Sequence, residues 1–290
     1  MDNNLDFKFD ELGYWSELKI EIVNSYAKEY SKILTAQKTK HGKEIFIPIY
    51  IDAFSGPGEQ FSKTSGEILK SIPLNILEIK PGFKEYHYID LDKNKIDYLR
   101  SKIGPRPDVY YYNGDCNDVL LDKLFPTMEF ESYRKGLCIL DPYGLHLNWN
   151  ILERAGKLGS IEIFLNFPVM DMNRNAIWRK NPKEVPENYM KRMDYFWGDR
   201  SWVDDCYEKN LNLFEDDTFI KVDNETVAER FRIRLEEKAG FKFVPRPIPM
   251  KNSSGGIIYY LFFAGPNETG NKIAKYIFKT YRNKGIQNCH

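Results

Sequence analysis

The chain has 290 residues, of which 42% are hydrophobic and 29% charged, and its 42 basic residues balance its 42 acidic ones. This composition is that of a globular protein with a large core, and zero net charge argues against a non-specific duplex binder. Four cysteines without C-x-x-C spacing and a polar start predict no disulfide framework, zinc knuckle, other metal site, signal peptide or membrane span. The predicted location is cytoplasmic.

The predicted elements alternate between helix and strand. Apolar residues three and four apart predict an N-terminal amphipathic helix over about residues 9–37, which packs on a sheet or, alternatively, binds a partner. Further helices are predicted over 92–103, 117–125 and 149–158. Strands and their polar turns are predicted at Phe46–Gly58, Glu85–Asp92, Val109–Asn117, Leu137–Gly144 and Ile161–Pro168. This alternation is typical of a doubly wound, Rossmann-like parallel sheet.

Two segments interrupt the pattern. Residues 58–71 are polar and lack periodicity, and they follow the first glycine turn directly. We expect them either to cover a bound ligand or to form a surface insertion. Residues 170–217, rich in Arg, Lys, Asn and Trp, are predicted to be an inserted cap or recognition segment.

The C-terminal part predicts an antiparallel ending to the sheet. A helix over 226–239 precedes two strands, 241–250 and 256–264, that are joined by a Lys-Asn-Ser-Ser-Gly turn. A last helix over 269–281 closes the chain. The predicted fold is therefore α/β, a single domain over residues 1–290 with a mostly parallel seven-stranded sheet and an antiparallel C-terminal hairpin.

The first polar turn is a candidate ligand site because parallel sheets bind ligands at the carboxyl ends of their strands. Its two glycines allow the backbone N–H groups to approach a nucleotide closely, although plain turn chemistry is the alternative. It is not a G-x-G-x-x-G sequence, and no P-loop motif occurs anywhere. The candidate cofactor residues in this turn are Asp52, Phe54, Ser55, Gly56 and Gly58.

Acidic residues follow the next two strands. Asp90 is a candidate acceptor for ribose hydroxyls, and Asp92 is either a second contact or the N-cap of the next helix. Asp115 is a candidate acceptor for an adenine amino group, with Cys116 beside it, or again an N-cap. Asp52 and Asp90 are much farther apart than the roughly 20 residues of dinucleotide folds, which disfavours an NAD-dependent oxidoreductase.

The turn Asp141-Pro142-Tyr143-Gly144 follows the fourth strand and carries the candidate catalytic residues Asp141, Pro142 and Tyr143. The carboxylate and a proline-fixed carbonyl can accept both protons of an amino group, and the ring can stack on the base that bears it. A tight structural turn is the alternative.

Candidate substrate residues lie farther along the chain. Asn166 ends the neighbouring strand and is expected to line the same pocket. A basic group in the inserted segment is expected either to hold a phosphate-bearing or nucleic-acid substrate or to form a solvated surface. Its members include Arg174, Trp178, Arg179, Lys180, Lys183, Lys191 and Arg192.

The chain resembles the three-Cys-motif partner (TcmP) family. The matching stretches run in order through nearly the whole chain: FDELGYWSELKIEIV, YIDAFSGPG, YHYIDLD, NGDCNDVLL, LDPYGLHLNW, EIFLNFPVMDMNRN, WGDRSW and PIPMKNSSGGIIYYLFF. The resemblance implies a class I S-adenosylmethionine-dependent methyltransferase fold, with S-adenosylmethionine as cofactor. It also implies an association with separate proteins that carry a three-cysteine motif.

The resemblance also implies roles for individual residues. Asp52–Gly58 matches the methionine-binding turn, Asp90 the ribose-binding acid and Asp115 the adenine-side acid. Asp141-Pro142-Tyr143 resembles the D-P-P-[YF] turn of amino-directed methyltransferases, but Gly144 stands where the aromatic residue would be. The predicted function is methyl transfer to an amino group, of a nucleic-acid base or another amine. The alternative is a non-catalytic subunit that keeps a nucleotide pocket and binds another protein.

Overall fold

A computed structural model describes residues 7, 9, 11–63, 65–177, 181–209, 219–252 and 254–287. The strands in chain order are β1 Glu11–Leu12, β2 Ile47–Asp52, β3 Glu59–Ser62, β4 Ile68–Lys70, β5 Glu85–Asp90, β6 Val109–Asn113, β7 Arg134–Leu140, β8 Ile161–Phe167, β9 Tyr207–Lys209, β10 Phe219–Lys221, β11 Ile248–Lys251 and β12 Ile257–Ala264. The α-helices are α1 Tyr14–Ala36, α2 Ile72–Leu77, α3 Lys93–Ile103, α4 Cys116–Asp118, α5 Trp149–Leu158, α6 Val169–Asn175, α7 Glu187–Trp197, α8 Trp202–Cys206, α9 Asn224–Glu237 and α10 Glu268–Gln287. A π-helix, Val119–Leu124, follows α4, and 3₁₀ turns lie at Phe125–Met128, Phe130–Ser132 and Pro182–Glu184.

Seven strands form the central sheet in the order β11-β12-β8-β7-β2-β5-β6. Only β12 runs antiparallel to its neighbours, and the other adjacent pairs are parallel. The predicted doubly wound α/β sheet with an antiparallel C-terminal hairpin is therefore confirmed. From β2 the chain continues to β5 and β6 on one side and then returns to β7 on the other. Ligands of such sheets bind at this reversal, outside the carboxyl ends of the strands.

The sheet separates two hydrophobic clusters. Ile49 and Ile51 of β2 belong to one cluster, which includes residues of α5, α7 and α9. Tyr50, between them, belongs to the other cluster, which includes residues of α1, α2 and α10. Successive strand residues point to opposite faces, so β2 is apolar up to Ile51 because both of its faces are covered.

The segment after the glycine turn is a hairpin rather than an irregular loop. Strands β3 and β4 pair antiparallel, and β1 adds to β3 in parallel. The buried Ser62 fixes the arrangement, since its hydroxyl donates to the Glu17 carboxylate (2.5 Å) and accepts from the Ser65 N–H (3.0 Å). The N-terminal helix accordingly begins at Tyr14, after β1, and not near residue 9.

The first strand of the C-terminal hairpin is shorter than predicted. Within residues 241–250, the ladder begins only at Ile248, and Phe243 makes an isolated bridge to Gly265. Pro245, Pro247 and Pro249 lack N–H donors, which confines such residues to sheet edges. The strand β11 is indeed the edge of the sheet.

The inserted segment contains α6, α7, α8 and the strand β9, which pairs antiparallel with β10. Its residues 178–180 and 210–218 lie outside the described residues. Among the helices that the structure describes, none is both long and apolar enough to span a membrane.

Candidate active site

The glycine turn lies between the ends of β2 and β5. Ser55 is anchored to β5, because its N–H and hydroxyl both donate to the Ile89 carbonyl (2.9 and 3.2 Å). Gly56 has φ +61°, and a Cβ built on it would have no heavy atom within 4 Å, so its backbone borders open space. Gly58, at φ +82°, instead packs tightly, since a Cβ there would lie 2.5 Å from Leu99 Cδ1. Of the two glycines, Gly56 is therefore the one with space beside it for a ligand. Phe54 packs against the core.

Asp90 is held beside Gly56. Its Oδ2 accepts from the Gly56 N–H (2.9 Å) and its Oδ1 from the Asp92 N–H (2.8 Å). Because an ionised carboxylate offers about four lone-pair sites, each oxygen can accept one more hydrogen bond. Asp92 itself caps α3 and accepts from the Asn94 N–H (2.9 Å). Between them, Leu91 is 75% exposed, an apolar side chain at the edge of the opening.

The third turn adjoins the second. The Gly114 N–H donates to the Asp90 carbonyl (3.1 Å), which places the exposed Asp115 next along this edge. Asp115 accepts from the backbone N–H of Asn117 (2.8 Å) and from its side-chain amide (2.7 Å), so it caps α4. Cys116 is buried, and burial raises the pKa of its thiol to about 12.

Asn117 connects the two sides of the opening. Its amide donates to the His146 carbonyl (3.1 Å), and its Oδ1 accepts from the Asn148 N–H (2.8 Å). The side chain therefore joins the turn after β6 to the segment that follows the Asp141 turn. This linking residue was not among the predicted site residues, although its place two positions after Asp115 marked it as a turn residue.

Asp141 accepts hydrogen bonds from two side chains of other elements. Its Oδ2 accepts from the ammonium of Lys19 (2.5 Å), and its Oδ1 accepts from the amide of Asn166 (2.5 Å). Lys19 comes from α1 and also lies over the ring of Tyr259, 5.6 Å from its centroid. Four elements thus meet here, since Asp141 directly follows β7, Asn166 lies in β8 and Tyr259 lies in β12.

Lys19 and Asp141 interact electrostatically with Asp52, the first residue of the glycine turn. Burial by itself would lower the pKa of Lys19, but the charge and hydrogen bond of Asp141, together with Tyr259 and Asp52, outweigh burial and raise that pKa above its ordinary value. Asp52 is 3% exposed, and burial raises the pKa of its carboxyl to about 7. Its oxygens accept from the Tyr50 hydroxyl (3.0 Å) and the Phe54 N–H (3.3 Å), so Asp52 supports the turn from beneath.

The inserted segment packs against the Asp141 turn at Gly144. This glycine has φ +65°, and a Cβ on it would lie 2.8 Å from Asp171 Oδ2 and 3.3 Å from an Arg192 guanidinium nitrogen. A larger residue at this position would be strained by the positive φ, and the side chains of Asp171 and Arg192 would have to shift to make room for it. Tyr143, beside it, is 90% exposed, and Pro142 is buried.

Unpaired polar atoms lie around the same turn. Asn166 Oδ1, Asp171 Oδ2 and Arg192 Nε are buried atoms without a hydrogen-bond partner among the described residues. Arg192 and Asp171 form an ion pair at 3.6 Å. Asp171 Oδ2 is therefore not isolated, whereas Asn166 Oδ1 and Arg192 Nε have no polar partner of this kind, which is costly for buried polar atoms.

The remaining candidates are not brought to this turn by any contact within the described residues. Arg174 is exposed on α6. Trp178 and Arg179 lie outside the described residues, as does Lys180. Within the described part of the chain, no group of three or more His, Cys, Asp or Glu side chains has the arrangement of a metal site.

The edge formed by β2, β5 and β6 has the chemistry that an adenosyl group requires. Gly56 offers open space, Asp90 has free lone pairs, Leu91 is an exposed apolar side chain and Asp115 is an exposed carboxylate. Ribose hydroxyls, an apolar ring and an amino group are the complementary features of S-adenosylmethionine. The side chains present therefore fit this cofactor.

No family model matches the chain, and no curated protein matches it. Solved structures show distant likeness over most of its length. A Legionella pneumophila protein of the DUF519 family is 11% identical, with a TM-score of 0.45, over 90% of this chain and 91% of that one. A candidate S-adenosylmethionine-dependent methyltransferase of Listeria monocytogenes is 15% identical, with a TM-score of 0.41, over 84% and 99% of the two chains. The methyltransferase domain of bacterial CtHen1-CN is 12% identical, with a TM-score of 0.42, over 87% and 99%. Likenesses this distant say nothing about the activity of this chain.

Proposed function

We propose that this chain is an S-adenosylmethionine-dependent methyltransferase that acts on an amino group. The observation that carries the amine direction is the Lys19 ammonium on Asp141, because the residue predicted to accept an amino group already holds one (2.5 Å). The resemblance to TcmP proteins supports an association with a three-Cys-motif protein. Pull-down of the full chain from its host, with identification of bound proteins and RNA, tests that association.

The cofactor end of the site consists of the first three turns. Asp90 would accept the ribose hydroxyls, the backbone at Gly56 would face the amino-acid part, and Asp115 would accept from the adenine amino group. When bound, S-adenosylmethionine supplies an electrophilic methyl group on a sulfonium. The fixed backbone donors to Asp90 hold its carboxylate in place before the ligand arrives, which reduces the ordering cost of binding.

The acceptor end consists of Asp141, Asn166, Tyr143 and the Pro142 carbonyl. Asn166 orients one carboxylate oxygen of Asp141, so that the other oxygen is presented to an N–H donor. Holding an amine in a fixed direction accounts for most of the rate gain in such a reaction. The exposed ring of Tyr143 is available to stack on a planar acceptor.

Lys19 must leave Asp141 before an acceptor amine can bind there. The helix α1 that carries it follows β1, which pairs with the β3–β4 hairpin beside the glycine turn. Lys19 is thus a positioning residue that holds the carboxylate of Asp141 until an amine replaces it. The raised pKa keeps Lys19 charged, so Lys19 itself is a poor nucleophile.

Calorimetry with S-adenosylmethionine tests the cofactor end. We expect stoichiometric binding to the wild-type chain and an affinity within a factor of about three for Asp141→Asn, because Asp141 belongs to the acceptor end. If no heat is released, the non-catalytic partner subunit is the better description. A collapse of affinity in Asp141→Asn would contradict the division between the two ends.

A cavity experiment tests the acceptor end. Lys19→Ala removes the atoms of a propylammonium ion, so millimolar propylammonium should raise the melting temperature of that variant by mass action. It should not do so for wild type or for Lys19→Ala with Asp141→Asn. Equal stabilisation by 1-propanol would show mere cavity filling and would contradict recognition of an ammonium group.

A further inference from the structure

A long groove lies along the edge strand β11, outside the site described above. Its volume is about 1580 Å³. At one end it is lined by Trp15, Lys251 and Ile257, and at the other by Pro245 and Arg246. Since β11 runs parallel to β8, Lys251 lies toward the carboxyl ends of the parallel strands, and the groove leads away from the candidate active site.

A smaller cavity of about 200 Å³ adjoins the far end of the groove, which we call the basic cavity. Its lining residues are Pro245, Arg246, Lys275, Phe278, Lys279 and Arg282. Four of these six are cationic, and they come from the segment before β11 and from α10. The cavity shares Pro245, Arg246, Lys275 and Arg282 with the groove.

Only one of the four cations of the basic cavity forms an ion pair with a carboxylate among the described residues. Arg246 pairs with Glu225, which lines the neighbouring groove. Within the described part of the chain, no carboxylate lies within 4 Å of the ammonium groups of Lys275 or Lys279. By contrast, Lys272 on the same helix pairs with Glu268 at 2.9 Å. Of the four cations of the basic cavity, Lys275, Lys279 and Arg282 thus have no ion-pair partner within 4 Å among the described residues, and Lys275 interacts at longer range with Glu268.

Arg282 is partly buried and has no acidic partner in the ranges that the structure covers. One of its guanidinium nitrogens donates to the carbonyls of Arg246 (2.8 Å) and Pro247 (2.7 Å), which fixes its orientation. Its other N–H groups have no partner among the described residues. Burial, together with the charge of Arg246, lowers the pKa of Arg282, as expected for a cation without a counter-charge.

We propose that the basic cavity binds the phosphate group of a nucleotide or of a single nucleic-acid strand. A phosphomonoester carries about −1.5 to −2 charges at pH 7, which suits several cations around one small cavity better than a single carboxylate does. The groove that continues from it is lined by Phe243 and Trp15, two partly buried aromatic residues, and also by the carboxylates of Asp223, Glu225, Glu229 and Glu236.

Fluorescence anisotropy of the full chain, without S-adenosylmethionine, tests this proposal independently of the proposed methyl transfer. The probes are labelled eight-nucleotide single strands with and without a 5′-phosphate, and inorganic phosphate is the competitor. Lys275→Gln with Lys279→Gln should weaken binding at least tenfold. A preference for the 5′-phosphate identifies a monoester as the ligand group. If both strands bind equally, the ligand group is a phosphate of the strand backbone. In that case the slope of log K against log salt concentration should be smaller by about 1.4 in the double variant, which lacks two phosphate contacts.

Lys272→Gln is the matched control, because Lys272 lies on the same helix outside the basic cavity. It should bind like wild type, and circular dichroism should show that all variants are folded. Absence of binding by both strands would overturn the proposal, as would wild-type affinity in the double variant. Equal competition by poly-glutamate would overturn the assignment to phosphate.

Discussion

Two backbone N–H groups fix the carboxylate of Asp90 at the opening between β2 and β5. An asparagine there would offer only one carbonyl oxygen, and its amide would face a second N–H donor. We therefore expect Asp90→Asn to lower the affinity for S-adenosylmethionine about 10- to 100-fold, since hydrogen bonds to charged groups contribute roughly 1.5–3 kcal/mol.

Isothermal titration calorimetry measures this change. Asp97→Asn is the control, because Asp97 is an exposed carboxylate on α3 that pairs with Lys93. An unchanged affinity in Asp90→Asn would remove Asp90 from the cofactor site.

Gly144 has both a left-handed backbone and a crowded environment. Gly144→Ala would strain φ +65° and push a methyl group against Asp171 and Arg192. We expect it to lower the free energy of unfolding by about 1–3 kcal/mol, measured by chemical denaturation.

Gly42→Ala is the control that separates backbone strain from side-chain crowding. Gly42 has φ +78°, but a methyl group added to it would have no heavy atom within 4 Å, so this variant carries the backbone strain alone. Its loss of stability should be the smaller of the two, and equal losses would show that the contact with Asp171 and Arg192 is unimportant.

At the scale of elements, Asp92 is the N-cap of α3. The sequence allowed either this role or a ligand contact, and the structure places the carboxylate on the Asn94 N–H at the start of α3. Asp92→Ala should therefore lower the free energy of unfolding by about 1 kcal/mol. Calorimetry should show a smaller loss of cofactor affinity than in Asp90→Asn, and a loss as large would assign Asp92 to the ligand.

Most central strands were predictable because each is a buried apolar run that ends in a polar turn. The contact between Lys19 and Asp141 was not predictable, because the two residues are 122 positions apart in the sequence. Lys19 also lies on a helix in which the spacing of apolar residues identified the buried face but no polar contact. The β3–β4 hairpin escaped prediction because its pairing depends on the buried Ser62 and on β1, and not on an alternating pattern. Of the candidate site, the strand-end acids were predictable, whereas Asn117 and Lys19 needed the tertiary structure.

At the scale of the whole molecule, a buried acid away from the active site makes stability depend on pH. Glu162 accepts from Tyr26 of α1 (2.5 Å) and from Asn267 (2.6 Å), next to the start of α10. Burial raises the pKa of Glu162 from 4.5 to about 7. The folded chain therefore binds more protons than the unfolded chain between these values, and stability is lost as the pH rises through this window.

Glu162→Gln should remove that loss. From pH 4.5 to 7.5, wild type should lose about 3 kcal/mol from this group, and the variant should show a correspondingly smaller drop. Denaturant unfolding at several pH values measures it, with Glu44→Gln, an exposed partner of Lys84, as control. Identical pH profiles for wild type and Glu162→Gln would show that the carboxyl group is not the cause.

The prolines at 245, 247 and 249 limit the pairing of a further strand at the β11 edge of the sheet. Residues two apart along an extended chain direct their backbone groups the same way, so this margin can offer carbonyl acceptors but few N–H donors. A foreign strand that approached it would form only part of its ladder, and Arg282 already occupies one of those carbonyls. This edge of the sheet is thereby a poor template for edge-to-edge pairing, while its groove stays accessible to ligands that bind through side chains.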